Sequence, residues 1–430
     1  MSRNEYSSSL TGHSGFVLPD NTKLTEKVNF VYVTPELIKL VKNHERKLKR
    51  QRKLRKSFLD HYLYFCGTIS YLVHVDKRYK NFEFVPINRE IMTSIISKEK
   101  FTEIKTNLIK WNVIETTNSY QTDTFSTGFK LLSPYNQTLK KTMITDNLIN
   151  RKINEYKRKE LQKLHELPYP YQYLEWTNTW IEMDTREATN YNLIHYFGKH
   201  SRKGKLNAEY DSNLISISDY TTKDYRFTSD EFGNRVHTNL TNLNSEFRYT
   251  LSVQGEKLGQ VDISNSQPLF LYTLIKDNPQ ICDSEKHKYK TLVESGNFYE
   301  HFMKQFNIPN ARREYIKQKV LTGMFSDKNR TISSRYFNYF SEDYPQIADY
   351  ITETKRKDYK QLICLMQREE SRFVIEKTVA EFINKYEGKF ISTIHDSIVV
   401  KSTMLETVEK LMMECFQSEG IKPKLKIKVF

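Results

Sequence analysis

His395, Asp396 and Ser397 stand between two apolar, β-branched runs in KFISTIHDSIVVKS, residues 389–402. The pattern predicts a β-hairpin with an ionisable pair at its tip. A second carboxylate, Asp262, closes the alternating run in KLGQVDISNSQPLFLYTL, where a Ser/Asn-rich turn leads into an apolar helix. Two carboxylates at strand ends suit a pair of Mg²⁺ ions when water and substrate phosphates supply the remaining ligands. A third stretch, ARREYIKQKVLTGMFS, places Arg313 and Lys317 four residues apart, with Leu321 and Phe325 continuing the interval. On a helix each such step drifts by roughly 40°, so the row stays near one face. Two cations followed by an aromatic ring make a rail for a triphosphate and a stacking surface for its base. Alone, none of these is specific. An Asp at a strand end more often serves a turn, and a basic helix is more often simply solvated.

The elements that must position these residues belong to a chain of 430 residues, long enough for two or three domains with their own cores. Hydrophobic residues make up 38% and charged residues 28%, with 28 Tyr and 25 Phe, which excludes a disordered chain. The net charge of +15 favours a polyanionic partner, nucleic acid before an acidic membrane surface. Cys66, Cys282, Cys364 and Cys415 are widely spaced and form no CxxC pair, so neither a zinc site nor a disulfide framework is expected. Neither a signal peptide nor an apolar run of about 18 residues is found, which points to a cytoplasmic protein without a membrane partner. The Asn-x-Thr triplets at Asn136, Asn239 and Asn329 are then chance matches.

Residues 1–30 read as a polar lead-in. Residues 39–56, KLVKNHERKLKRQRKLRK, carry ten Lys/Arg and one Glu and form a helix that attracts phosphates in a salt-dependent way. Residues 57–135 show a definite order: a buried apolar helix, a helix capped by Asn88, a helix with Phe101, Ile104, Leu108 and Trp111 at helical spacing, then two strands. That order resembles a winged helix-turn-helix, which implies contact with duplex, origin-like DNA through Lys98, Lys100, Lys105 and Lys110. Residues 136–226 are a mostly helical connector, broken by the Pro-Tyr-Pro turn at 168–170.

Order and spacing along residues 225–430 carry a second resemblance. GNRVHTNLTNLNSEFR, with Gly233, Arg235, Asn242 and Leu243, comes first, followed by VDISNSQP, VESGNFYEHFMKQF, RREYIKQKV with its distal Phe, YFNYFSEDYPQIADYI, IHDS and the closing KPKLKIKVF. In this order they resemble the palm and fingers of family A DNA polymerases and, more distantly, of single-subunit RNA polymerases. The resemblance implies an α+β right-hand polymerase fold: an antiparallel palm sheet with helical fingers and thumb, preceded by the winged-helix-like domain. The domains expected are 1–56 (lead-in and basic helix), 57–135 (nucleic-acid-binding module), 136–226 (thumb or connector) and 227–430 (palm and fingers).

The same resemblance implies site roles. Asp262 and Asp396 hold two Mg²⁺ ions, for which Mn²⁺ can substitute, and Lys317 contacts the incoming triphosphate and protonates the leaving group. Arg313 holds the γ-phosphate, Phe325 stacks near the templating pair, and Gln267 faces the sugar. His395 positions the primer end, while Arg235 and Asn242 touch the primer-template. Three departures stand out. Ser397 replaces a Glu common in the DNA enzymes, Phe325-Ser326 replaces Tyr-Gly, and Gln267 replaces the Glu that bars the ribose 2′-hydroxyl. Gln is nearly as bulky as Glu, so deoxynucleotide preference is expected. The region before Arg226 is too short for a thumb and a proofreading nuclease together, and it has no Asp-x-Glu site, so no 3′–5′ exonuclease is expected.

The reading that follows is a compact template-directed DNA polymerase for a plasmid, phage or mobile element. Two alternatives stay open: an RNA polymerase or primase, on His-Asp-Ser, and a non-catalytic DNA-binding initiator on a polymerase fold.

Overall fold

The computed structural model describes residues 28–51, 57–75, 79, 82–117, 127–197, 208–326 and 334–430. The expected lead-in lies almost wholly outside these residues, as do the end of the basic run (52–56), the tip between the two wing strands (118–126) and the triplet at Asn329.

The N-terminal core begins with β1 (Phe30–Val33) and α1 (Pro35–Arg50). The Thr34 hydroxyl caps α1 by accepting from the Leu37 amide at 3.2 Å. Leu37, Val41 and Glu45, four residues apart, are the face that α1 buries, and its lysines and arginines point to solvent. Glu45 is the one acid of the basic run. Its carboxylate accepts from the Ser57 hydroxyl at 2.8 Å and from the Phe58 and Leu59 amides at 2.7 and 2.9 Å, which satisfies the start of α2 (Leu59–His74). A Cβ at Gly67 would stand 2.6 Å from the Val31 side chain, so glycine is what lets α2 lie against β1.

There follow β2 (Val85–Pro86), α3 (Arg89–Ile95), α4 (Lys98–Lys110), β3 (Ile114–Thr116) and β4 (Gly128–Leu131). Asn88 caps α3 as expected, accepting from the Ile91 amide at 3.1 Å, and Ser97 caps α4. The antiparallel sheet has the order β2-β4-β3. Next, β5 (Lys140–Met143) pairs with β1, Phe30 opposite Met143, and α5 (Asn147–His165) follows. One buried cluster runs from Val31 to Ile153, across the boundaries at 56 and 135. Long-range strand pairing of this kind leaves no local signal in the sequence.

The rest of the chain is mixed helix and antiparallel sheet. It opens with α6 (Tyr169–Asn178), β6 (Glu182–Met183), α7 (Thr185–Tyr196) and α8 (Ala208–Thr221). Then come β7 (Phe227–Ser229), β8 (Val236–Thr238), α9 (Asn239–Asn242), a 3₁₀ turn over Ser245–Thr250, β9 (Leu251–Val253) and β10 (Glu256–Ile263). Helices α10 (Ser266–Ile275), α11 (Asp283–Glu294), α12 (Phe298–Gln305) and α13 (Arg313–Leu321) follow, the last running into a π-helical turn, Thr322–Ser326. Next are α14 (Arg335–Asp343), α15 (Pro345–Lys357), α16 (Gln361–Ser371), a π-helical stretch over Arg372–Val379 and α17 (Ala380–Tyr386). The chain closes with β11 (Ser392–Ile394), β12 (Ser397–Lys401), α18 (Leu405–Gln417) and β13 (Leu425–Val429).

Strand β10 is the hub of the principal sheet, ordered β11-β12-β10-β9-β6, with β13 also paired to β10. Directly opposed residues share a face. Val261 and Ile263 join Ile398 and Val400 in the large core covered by α18, α10 and the long π stretch. Leu258 and Val399, on the other face, join the smaller core with Leu240, Phe247 and Leu251. Further along this second face the cover stops, and Asp262 stands half-buried. Among the described residues, no helix is long and apolar enough to cross a membrane.

Candidate active site

Asp262 is the last polar residue of β10 and pairs with Ser397 on one side and Lys426 on the other. Asp396 immediately precedes Ser397 in the two-residue loop between β11 and β12, so strand register alone makes the carboxylates neighbours. His395, the other loop residue, has φ +53°, a left-handed conformation uncommon for a side-chain-bearing residue. The loop is pinned from below by the buried Ser397 hydroxyl, which donates to the Ile394 carbonyl at 2.9 Å.

The electrostatics show which groups converge. Burial first, and then the charge of Asp396, push the Asp262 carboxyl up to about 6, while Lys317 and Lys426 oppose the rise. Asp262, Asp396, Lys317 and Lys426 therefore occupy one neighbourhood, drawn from four distant stretches. The field of Asp396 also reaches Tyr299 on α12 and Glu370 on α16, and with burial raises both.

Arg313 and Lys317 both lie on α13, half-buried. The Arg313 Nε donates to Glu300 at 2.6 Å, and its guanidinium lies 5.6 Å from the Tyr299 ring centroid. Phe325 is placed differently from expectation. It is fully buried with Met324 in the large core. The wider i→i+5 turn over Thr322–Ser326 changes the rotation per residue, so the row that holds Arg313 and Lys317 does not continue to Phe325. Its ring offers no stacking face in this conformation.

Arg235 precedes β8 and forms a bidentate pair with Glu370, Nε–Oε1 2.7 Å and Nη2–Oε2 2.6 Å. The Glu370 side chain is only 2% exposed, and burial holds its carboxyl at about 7 despite Arg235. The turn before Arg235 is clamped on α16. Ser371 donates to the Gly233 carbonyl at 2.7 Å, and a Cβ at Gly233 would meet Gln367 at 2.6 Å. His237 Nε2 lies 2.7 Å from Asp230 Oδ2, with its ring 6.3 Å from that of His395.

No protein-family model and no curated protein matches this chain. Among solved structures it is similar to the POL domain of Pol1 from M. smegmatis, determined in complex with DNA primer-template and dNTP. The two share 11% sequence identity and a TM-score of 0.42 over 66% of this chain and 72% of that one.

The remaining expected residues divide. Gln267 is half-buried in the first turn of α10, two residues beyond an Asn265 in left-handed conformation that turns the chain away from Asp262. Asn242 lines a small cleft with Tyr71, Ser216, Asp219, Arg226 and Asn239, where α2 of the N-terminal core meets α8. It belongs to that seam. Lys426, Glu370, Tyr299 and Glu300 were not singled out from sequence. For Lys426 a signal existed, since in KPKLKIKVF every second residue is a lysine and a strand pairing beside Asp262 must put those lysines on one face. Nothing local marks the other three.

Among the described residues no group of three His, Cys, Asp or Glu side chains gathers around a metal-sized space. The donor set is the pair Asp262 and Asp396, two hard oxygen ligands with like charge and partial burial. Such a pair fits a divalent cation whose other ligands are water and phosphate.

Proposed function

We propose that the chain is a template-directed DNA polymerase that extends a primer 3′-hydroxyl with deoxynucleotides. The observation that carries this is the convergence of Asp262, Asp396 and Lys317, three residues from stretches more than fifty residues apart, at the tip of the β11–β12 hairpin. Magnesium bound by the two carboxylates would supply charge that favours an attacking alkoxide and a leaving pyrophosphate. The chain's own residues do the positioning. In this reading Lys317 and Arg313 orient the triphosphate from α13, and Lys317 gives a proton to the departing phosphate. Arg235, locked by Glu370, and His395, held at its left-handed turn, face the primer end. Gln267 at the start of α10 sets the sugar preference.

Residues 57–135 fit the reading of a winged-helix module for duplex DNA. The support is the order α2, β2, α3, α4, β3, β4 with the sheet β2-β4-β3. Replication of a plasmid, phage or mobile element, and the absence of proofreading, complete the proposal. Ser397 favours a second reading as an RNA-synthesising enzyme, because its buried hydroxyl serves the hairpin and adds no third carboxylate.

Primer extension on a defined template with Mg²⁺, offering deoxynucleotides and ribonucleotides separately, tests both. Asp262→Ala and Asp396→Ala are each expected to lower extension by at least about 10³-fold. Extension with ribonucleotides alone would select the second reading. No extension by the wild type, with DNA binding intact, would leave the initiator.

A further inference from the structure

The site already described leaves one charged strip unused. On the face of the sheet that carries Asp262, the cross-strand partners from β13 are Lys426, opposite Asp262, and Lys428, opposite Gln260. Both lysines are exposed, and among the described residues neither makes an ion pair or a side-chain hydrogen bond. Arg248, from the Ser245–Thr250 turn, continues the strip. Its Nη1 donates to Gln260 at 3.3 Å and its guanidinium lies 5.7 Å from the Phe430 ring centroid. The Arg248 Nε is buried without a hydrogen-bond partner, and no carboxylate pairs with this guanidinium among the described residues. A partly buried arginine without a counter-ion is costly unless an anion arrives. Alternate residues on a strand stand roughly 6.5–7 Å apart, so each lysine can meet a separate phosphate.

We propose that Lys426, Lys428 and Arg248 form a backbone track for the nucleic-acid strand whose 3′ end lies at Asp262. This rests on the polymerase reading above and adds a binding site to it. The strip runs away from Asp262 along the sheet, whereas the α13 cations lie on a helix outside it. In this proposal the strip takes the strand already made, while α13 takes the nucleotide.

The test uses the full chain and a fluorescein-labelled hairpin primer-template. Its affinity is measured by anisotropy across a salt series for wild type, K426Q/K428Q and K426R/K428R. Each lost phosphate contact removes about 0.9 from the slope of log affinity against log salt, so the Gln pair should flatten it by about 2. The Arg pair, which keeps the charges, should retain the wild-type slope. In steady-state extension the loss should fall on the KM for primer-template and spare the KM for nucleotide. A wild-type slope in the Gln pair would overturn the proposal, as would a Gln-pair defect confined to nucleotide KM. So would a wild type that does not bind the hairpin. Binding needs no synthesis: if wild type binds with the expected slopes but extends nothing, the polymerase reading fails and the track stands.

Discussion

Two like charges meet at Asp262 and Asp396, and the arginines nearby, Arg313 and Arg235, are each held by a glutamate. Arg313 shows this most directly. Its Nε is occupied by Glu300 at 2.6 Å and its Nη1 reaches the exposed Glu314 at 3.5 Å, which leaves Nη2 to meet a phosphate. Glu300 is thus a positioning residue in the proposed reaction. Glu300→Ala should raise the nucleotide KM about tenfold, the loss expected for one disordered charge-assisted contact. Glu300→Gln still accepts from Nε and should recover most of it. A lower KM in the Ala variant would instead make Glu300 a competitor of the triphosphate. Phe325 marks the limit of counting at this scale: four-residue spacing held Arg313 and Lys317 on one face, but a single π turn turned the next aromatic into the core.

Between elements, the fixed point behind the site is Glu419, in the turn after α18. It accepts from Arg372 Nη1 at 2.9 Å, Lys377 at 2.8 Å and Lys276 at 3.1 Å, tying α10 and the long π stretch to the end of α18. Burial would raise its carboxyl, but these three cations outweigh burial and hold it at about 2, against an ordinary 4.5. A carboxyl depressed in the folded state contributes stability above the unfolded value, and that contribution is lost as pH falls from about 4.5 toward 2. Glu419→Gln should therefore cost roughly 2–3 kcal/mol at neutral pH and flatten the acid limb of the stability curve. Urea unfolding at a series of pH values measures both. If wild type and variant lose stability in parallel below pH 4.5, the hub is not the source. The capping of α3 and the apolar spacing of α4 were readable at this scale because both depend on residues within a turn of each other. The Glu45 cap on α2 was not, since its donors lie more than three helical turns away.

At the scale of the molecule, the N-terminal core meets the rest at Arg226, whose guanidinium stacks 3.8 Å from the Tyr71 ring centroid and pairs with the buried Asp219 at 3.3 Å. Lys141 adds bonds from β5 to Ser218 and Thr222 of α8 and its end, and Lys157 pairs with Asp224. Burial raises the Asp219 carboxyl, with Asp224 adding to the rise. Arg226→Ala leaves this buried acid without its closest cation and removes the stacked pair. It should lower stability by about 2–3 kcal/mol and split the thermal transition in two. One unchanged, single transition in calorimetry would show that the seam does not couple the two cores.

Residue types, turn signals and spacings fall within reach of the chain itself, because helices, caps and hairpins are stabilised by neighbours a few positions apart. The hairpin around His395-Asp396, the strand ending at Asp262 and the cationic pair of α13 were legible for that reason. Proximity was not. β10 lies between β12 and β13, Glu370 lies under Arg235, and Asn242 belongs to a seam, all through contacts between residues far apart in sequence. Long-range strand register and core packing set those neighbours, and both are cooperative properties of the folded chain with no local signature.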